Sequence, residues 1–293
     1  MRTYPYRKTD AFTSGDSLGN PAACLYLNAG ESLTDAEMLR VAQQHKGFVS
    51  EVIYCAPTAP GAYSLTYFSS ECEVDFCGHG TIACLYPLIK ENPDLLAAKE
   101  ITIHTRKKGA LTVYNAVPEQ DAVYITAPEP HDIGLNISLE EIADPLSLDR
   151  RQISASHPAE IIDAGLKTLI VPIASLHDEI HVFPKEPALK TFCLGHGIDI
   201  ILTYSLETDN PESIAHTRVF APKFGYLEDP ATGSGNSAFG YYMLKHSLWD
   251  GSPAAIEQGG ADRVFNTVKL LRQNSRVLFG GKATTRIQGV YYI

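Results

Sequence analysis

Two short stretches of small residues, each placed to open a helix, constrain this 293-residue chain more than any other feature of it. The first is Asp75-Phe76-Cys77-Gly78-His79-Gly80-Thr81-Ile82-Ala83-Cys84-Leu85. The second is Glu228-Asp229-Pro230-Ala231-Thr232-Gly233-Ser234-Gly235-Asn236-Ser237-Ala238-Phe239-Gly240. Setting Gly78 on Gly233 superposes CGHGTIA on TGSGNSA, with the two glycines 155 residues apart, about half the chain. Pro230 and the glycines suit tight turns, and Ser234 and Asn236 suit caps. The first amides of a helix lack partners unless a side chain or an anion takes them, so each stretch is a prepared anion site. The pattern reads as two related halves, each giving one helix N-terminus to a shared cleft. It spans only about seven positions, so two unrelated Gly-rich turns stay open as the alternative.

A chain of this length holds one large domain or two of roughly 150 residues, and the repeat favours two. Hydrophobic residues, at 44%, suffice for two cores. The net charge of −10 argues against nucleic acid and anionic membranes, which call for clustered Lys and Arg. The one basic run, Arg106-Lys107-Lys108, suits a solvated hairpin tip. No apolar run approaches the ~20 residues that span a bilayer. Met1-Arg2-Thr3-Tyr4-Pro5 lacks the apolar stretch of a signal peptide, so a cytoplasmic location is expected. The six cysteines show no C-x-x-C spacing and the ten histidines no H-E-x-x-H, so no metal is expected and most cysteines should be buried hydrophobes.

Along the chain, strands are expected over 3–13, 22–27, 49–54 and 63–69. Thr34-x-x-Glu37 is a capping box, and Met38, Val41, Ala42 and His45 follow at helical spacing, which predicts a helix over 35–45. Alternation places Glu51 on one face with Val49 and Ile53, a carboxylate among β-branched residues. A helix over 79–90 is apolar nearly all round and should be buried, with Pro87 kinking or shortening it. A hairpin turns at Lys107-Lys108-Gly109, and a strand covers 122–126. Ala127-Pro128-Glu129-Pro130 is the candidate boundary between lobes. Beyond it a helix starts at Ser138, strands cover 169–173, 199–204 and 216–220, and the second small-residue helix runs to about 247. Strands over 254–258, 264–270, 277–279 and 284–292 close the chain. Many strands around two buried helices make an α+β protein.

Asp10-Ala11-Phe12-Thr13 with Gly19-Asn20-Pro21, then Ser50-Glu51, Cys77-Gly78-His79-Gly80, Arg218-Val219-Phe220-Ala221-Pro222 and Glu228 to Gly235 together resemble the phenazine-biosynthesis isomerase (PhzF-like) family. The set covers nearly the whole chain. The resemblance implies a diaminopimelate-epimerase-like fold of two pseudo-symmetric lobes, each a β-barrel-like sheet around a central helix, with the active site between them. The lobes would take residues 1–127 and 128–282, with 283–293 returning to the first. It further implies a homodimer, no cofactor and a small-molecule substrate. The family's acid/base glutamate falls on Glu51, its histidine on His79, its aspartate on Asp229 and its serine on Ser234. Asn20, Cys77, Gly78, Gly80, Thr232, Gly233 and Gly235 become candidate substrate contacts. Val52-Ile53, where the family often has small or hydroxylated residues, implies an altered substrate rim.

The type member moves a proton along a conjugated ring system, and the residues suit such chemistry. A carboxylate among apolar neighbours is poised to take and return a proton, and helix N-termini can hold a substrate carboxylate or a developing enolate-like charge. CGHGTIA also resembles the first motif of cofactor-independent proline racemases, where two cysteines work on opposite faces of one carbon. That chemistry needs a second cysteine near Thr232 or Ser234, where this chain has none. A third reading is a protein that binds a small acid or a partner without turnover. The expectation is an isomerase of a small, carboxylate-bearing, cyclic or amino-acid-like molecule with Glu51 as general base and acid.

Overall fold

The computed structural model describes residues 2–293; Met1, where the first lobe is expected to begin, lies outside them. The chain divides into two compact units. One takes the residues up to Ile125 together with Gly280–Ile293, and the other takes Thr126–Phe279. Both mix strands with a central helix of small and apolar residues, an α+β architecture.

In the first unit β1 (Thr3–Ala11) runs antiparallel to β2 (Asn20–Tyr26). Helix α1 (Asp35–Gln44) carries the chain over to β3 (Glu51–Ala59), which lies parallel to β2. The capping box at Thr34 and Glu37 starts α1 as its sequence dictates, and Met38, Val41 and Ala42 are its buried stripe. Strand β3 turns back into β4 (Ala62–Ser69), and β4 pairs with the two-residue β5 (Glu73–Val74). Then comes α2 (Gly78–Glu91), buried over most of its circumference. Pro87 lies inside α2 and does not shorten it; the helix runs on to Glu91. After α3 (Pro93–Ala97), β6 (Glu100–Thr105) lies parallel to β4, and β7 (Gly109–Ala116) returns against β6. Short α4 (Val117–Gln120) and β8 (Ala122–Thr126) follow. The closing strand, Ala283–Tyr292, pairs with β1 over its whole length, so this unit is assembled from both halves of the sequence. Asp10 of β1 is buried and paired with Lys8 and with Arg286 of the closing strand, which explains its place in the Asp10 to Thr13 motif without catalysis.

The second unit contains β9 (His131–Asp132), α5 (Leu139–Leu146), β10 (Glu160–Asp163), β11 (Lys167–Pro172), α6 (Leu176–Ile180) and α7 (Glu186–His196). It continues with β12 (Ile200–Ser205), β13 (Ser213–Phe220), β14 (Glu228–Asp229), α8 (Gly233–Lys245), β15 (Ala254–Gln258) and β16 (Asn266–Gln273), and β17 (Arg276–Gly281) leads out of it. Its pairing senses repeat those of the first unit. Strand β12 is parallel to β11, β13 is antiparallel to β12, two-residue β14 pairs with β13, α8 follows, β15 is parallel to β13, and β16 returns against β15. β3, β4, β5, α2, β6 and β7 thus correspond to β12, β13, β14, α8, β15 and β16. The repeat seen as seven similar residues extends through the pairing of five strands.

Helix α7, absent from the sequence reading, buries only Leu189 and Cys193 as full core residues, too few for a legible helical stripe. Strand β16 begins at Asn266, two residues later than expected, and β1 ends at Ala11, two residues earlier. All six cysteines are free thiols, five of them buried, with Cys72 exposed.

Candidate active site

Glu51 is the first residue of β3, held between Ala22 of β2 and Ser69 of β4. Cys77 and His79 belong to the start of α2, Cys77 as its N-cap and His79 in the first turn. A short relay fixes that turn: the buried Tyr67 hydroxyl donates to Thr81 Oγ1 at 2.8 Å, and Thr81 Oγ1 donates to the Cys77 carbonyl at 2.8 Å. The Cys77 sulfur accepts the Gly80 amide at 3.3 Å, so the thiol does what a serine or aspartate does at other N-caps. Glycine fits closely at position 80, because a Cβ there would lie 2.7 Å from Ile53 Cδ1 and 2.9 Å from Cys77 Sγ and would force one of them to shift.

The result is a compact trio. His79 Nε2 lies 3.1 Å from Glu51 Oε2. The Cys77 thiol donates to the same oxygen at 3.7 Å and lies 3.5 Å from His79 Nδ1. Both side-chain contacts fall on Oε2, which leaves Oε1 for other partners. The Glu51 and His79 side chains keep 18% and 15% of their surface, enough for a small molecule to reach them, while Cys77 is buried. Burial works against a charge on His79, but the Cys77 sulfur and the Glu51 carboxylate outweigh it, and its pKa lies well above the usual histidine value. Burial pushes the Cys77 thiol up, against the pull of His79.

Glu51, Cys77 and His79 could also hold a metal, since one ligand atom from each falls within 4.8 Å of the others. Linear spacing does not show this set, because Glu51 joins it only through the register of β3 against β2 and β4. Asn20 is buried at the start of β2, opposite Ala11. Gly78 is the first residue of α2.

In the second unit the candidates form a different structure. Thr232, not Ser234 or Asn236, is the N-cap of α8, and it makes no side-chain cap bond. Its hydroxyl instead donates to Asp229 Oδ2 at 2.6 Å. Asn236 reaches back to the Thr232 carbonyl at 2.9 Å, and Ser234 lies half-buried in the first turn. Gly233 is obligatory: a Cβ there would meet the Phe279 ring at 2.3 Å. Gly235 is less tightly held, with nearest contacts at 3.3 Å.

Buried Gln258 ties this turn together. Its carbonyl accepts the Thr232 amide and the Asn236 side chain, at 2.9 and 2.8 Å, and its amide donates to the Asp229 carbonyl at 2.8 Å. Arg218 clamps Glu228 through two parallel bonds of 2.9 Å and holds the carbonyls of Ile180 and Val182. Arg218 and Glu228 are thus scaffold for the turn that carries Asp229. Sequence reading missed Gln258, whose only signal is its position at the end of a strand.

The strand registers show what stands opposite the trio in the repeat. Val52 pairs with Phe68 and Phe68 with Glu73, as Ile201 pairs with Phe220 and Phe220 with Glu228. Glu51 therefore corresponds to Ile200, and Val74 to Asp229. The motif alignment matches Cys77 with Thr232 and His79 with Ser234. Two surface concavities, one lined by Pro57, Thr58 and Leu95 and one by Glu140, Pro145 and Phe192, include none of these residues.

Residues 9–289 match the family described as phenazine biosynthesis-like protein. An uncharacterized isomerase of Halalkalibacterium halodurans is 30% identical over 295 residues, covering 97% of each chain. The crystal structure of a PhzF-family phenazine biosynthesis protein of Bacillus anthracis covers both chains fully, with 25% identity and a TM-score of 0.86. A hydroxyproline epimerase of Agrobacterium vitis, solved with bound trans-4-hydroxy-L-proline, shares the fold at a TM-score of 0.59 and 10% identity over 99% of this chain and 92% of its own. No helix among the described residues is long and apolar enough to cross a membrane.

Proposed function

Since the chain belongs to the phenazine biosynthesis-like family of isomerases, we propose that Glu51 moves a proton between two carbons of a small, carboxylate-bearing, cyclic substrate. The observation that carries this reading is the partly exposed carboxylate 3.1 Å from His79 Nε2 at the start of α2. His79 Nε2 holds Oε2 in place. Oε1 then takes a proton from substrate carbon, the electron pair moves into the adjoining conjugated system, and the same carboxyl returns the proton at another carbon. The α2 N-terminus favours negative charge close by. No cofactor is needed for such a transfer. Asp229 and Ser234 stay candidates on the strength of the family resemblance, as do the homodimer and the lobe boundaries.

Cys77 is the alternative base, favoured by its 3.7 Å approach to Glu51. Proton NMR in D₂O separates the two. The protein, Glu51→Gln and Cys77→Ser are incubated with cyclic amino and hydroxy acids, dihydro-hydroxyanthranilate among them. Deuterium should enter one carbon, with Glu51→Gln slowed by about 10²–10⁴-fold and Cys77→Ser far less. Exchange that survives in Glu51→Gln and vanishes in Cys77→Ser transfers the role to the thiol.

A further inference from the structure

The separations within the trio have a second meaning. In a tetrahedral zinc site, with bonds of about 2.3 Å to sulfur and about 2.0–2.1 Å to nitrogen and oxygen, the ligand atoms stand about 3.3–3.6 Å apart. Here Cys77 Sγ, His79 Nε2 and Glu51 Oε2 form a triangle with edges of 3.8, 3.1 and 3.7 Å. Because the sulfur lies closer still to Nδ1, at 3.5 Å, ligation through Nε2 takes a turn of the imidazole that carries Nδ1 away from it. One thiol, one imidazole and one carboxylate make a donor set that suits a borderline-soft divalent cation over calcium or magnesium. The scaffold already holds the sulfur through the Gly80 amide, and the partial exposure of Glu51 and His79 leaves a side open to solvent.

We propose that Glu51, Cys77 and His79 bind zinc as three ligands, with the fourth position open, and that zinc reversibly shuts the site. Binding forms Zn–S, Zn–N and Zn–O bonds, and the protons of the thiol and of the imidazolium leave to buffer. Glu51 Oε2 and His79 Nε2 are then both occupied, and the cation's charge withdraws the carboxylate from proton transfer. The binding rests on the geometry alone. Its effect on turnover rests on the reading of Glu51 as the base.

Cobalt(II) is the probe for binding, because thiolate ligation gives a near-ultraviolet charge-transfer band and four-coordination gives strong visible bands. The metal-free full-length protein should show both with one equivalent of Co²⁺, and Zn²⁺ should displace them. Cys77→Ser should lose the charge-transfer band while keeping its fold by circular dichroism, since serine is itself a good N-cap. Glu51→Gln and His79→Gln should each weaken binding at least tenfold. Cys72→Ser, which removes the exposed thiol, should leave the spectrum unchanged. The proposal is overturned if no charge-transfer band forms, if the band depends on Cys72, or if the three substitutions leave affinity unaltered. Zinc should abolish deuterium exchange over the range in which it displaces cobalt. Displacement without loss of exchange keeps the metal site and overturns the role of Glu51.

Discussion

The two units run the same strand pairing around the same kind of helix start, yet they set different side chains there. Glu51, Cys77 and His79 in one unit stand where the other has Ile200, Thr232 and Ser234. Asp229 in turn stands where the first unit has Val74. The second unit also contains a Glu and His pair, but places it inside. Glu179 and His216 are fully buried, with Nδ1 2.5 Å from Oε2, and Thr203 donates to the other oxygen at 3.0 Å. A shared fold therefore leaves the chemistry open. Exposure and neighbours decide whether a Glu and His pair reaches a substrate or holds a core.

Making the halves alike should have the largest effect. Glu51→Ile, which copies Ile200, should lower deuterium exchange by about 10²–10⁴-fold while thermal melting shows an intact fold, because isoleucine suits a strand. The buried pair should behave in the opposite way. Glu179→Ala should cost about 3–5 kcal/mol in chemical denaturation, as losing one partner strands the other in the core. The matched glycines come next. Gly80→Ala should destabilise by about 1–3 kcal/mol through overpacking on Ile53 and Cys77, and Gly235→Ala, with its looser contacts, by less. Thr232→Ala should cost about 1 kcal/mol by removing the hydroxyl bond to Asp229.

The smallest effect is in pH. Burial raises the Glu179 carboxyl above its ordinary value, against the pull of His216 and Arg218. The folded state thus binds this proton more tightly than the unfolded chain does. That contribution is complete below the unfolded value of 4.5 and fades as pH rises through the folded pKa. Denaturation of the wild type against Glu179→Gln across that window should show the difference between them changing in this sense. His79 is raised as well, with the opposite meaning. For a histidine a higher pKa favours the charged form, and for a buried glutamate it favours the neutral one.

Much of this was legible in the residues. The capping box starts α1, and the small-residue stretches open α2 and α8. What escaped depends on neighbours that linear spacing does not reveal. Cys77 reads as a candidate substrate contact, but its place beside Glu51 shows only once Gly80 is seen to make room for its sulfur. Ser234 and Asn236 suit capping by type, but the start of α8 is fixed by Gln258, twenty-six residues from Thr232. Helix α7 carries too few core residues to mark its face. The Glu179 and His216 pair joins α6 to β13, and nothing local to either residue anticipates it.

The closing strand that pairs with β1 sets an order of events on the ribosome. Residues 126–279 emerge as one continuous block and can complete their core while synthesis continues. The earlier-made unit must wait for Ala283–Tyr292 before β1 has its second neighbour. The carboxylate proposed for proton transfer is made early, yet its own unit is the last to be finished. During that interval the exposed edge of β1 is open to other chains.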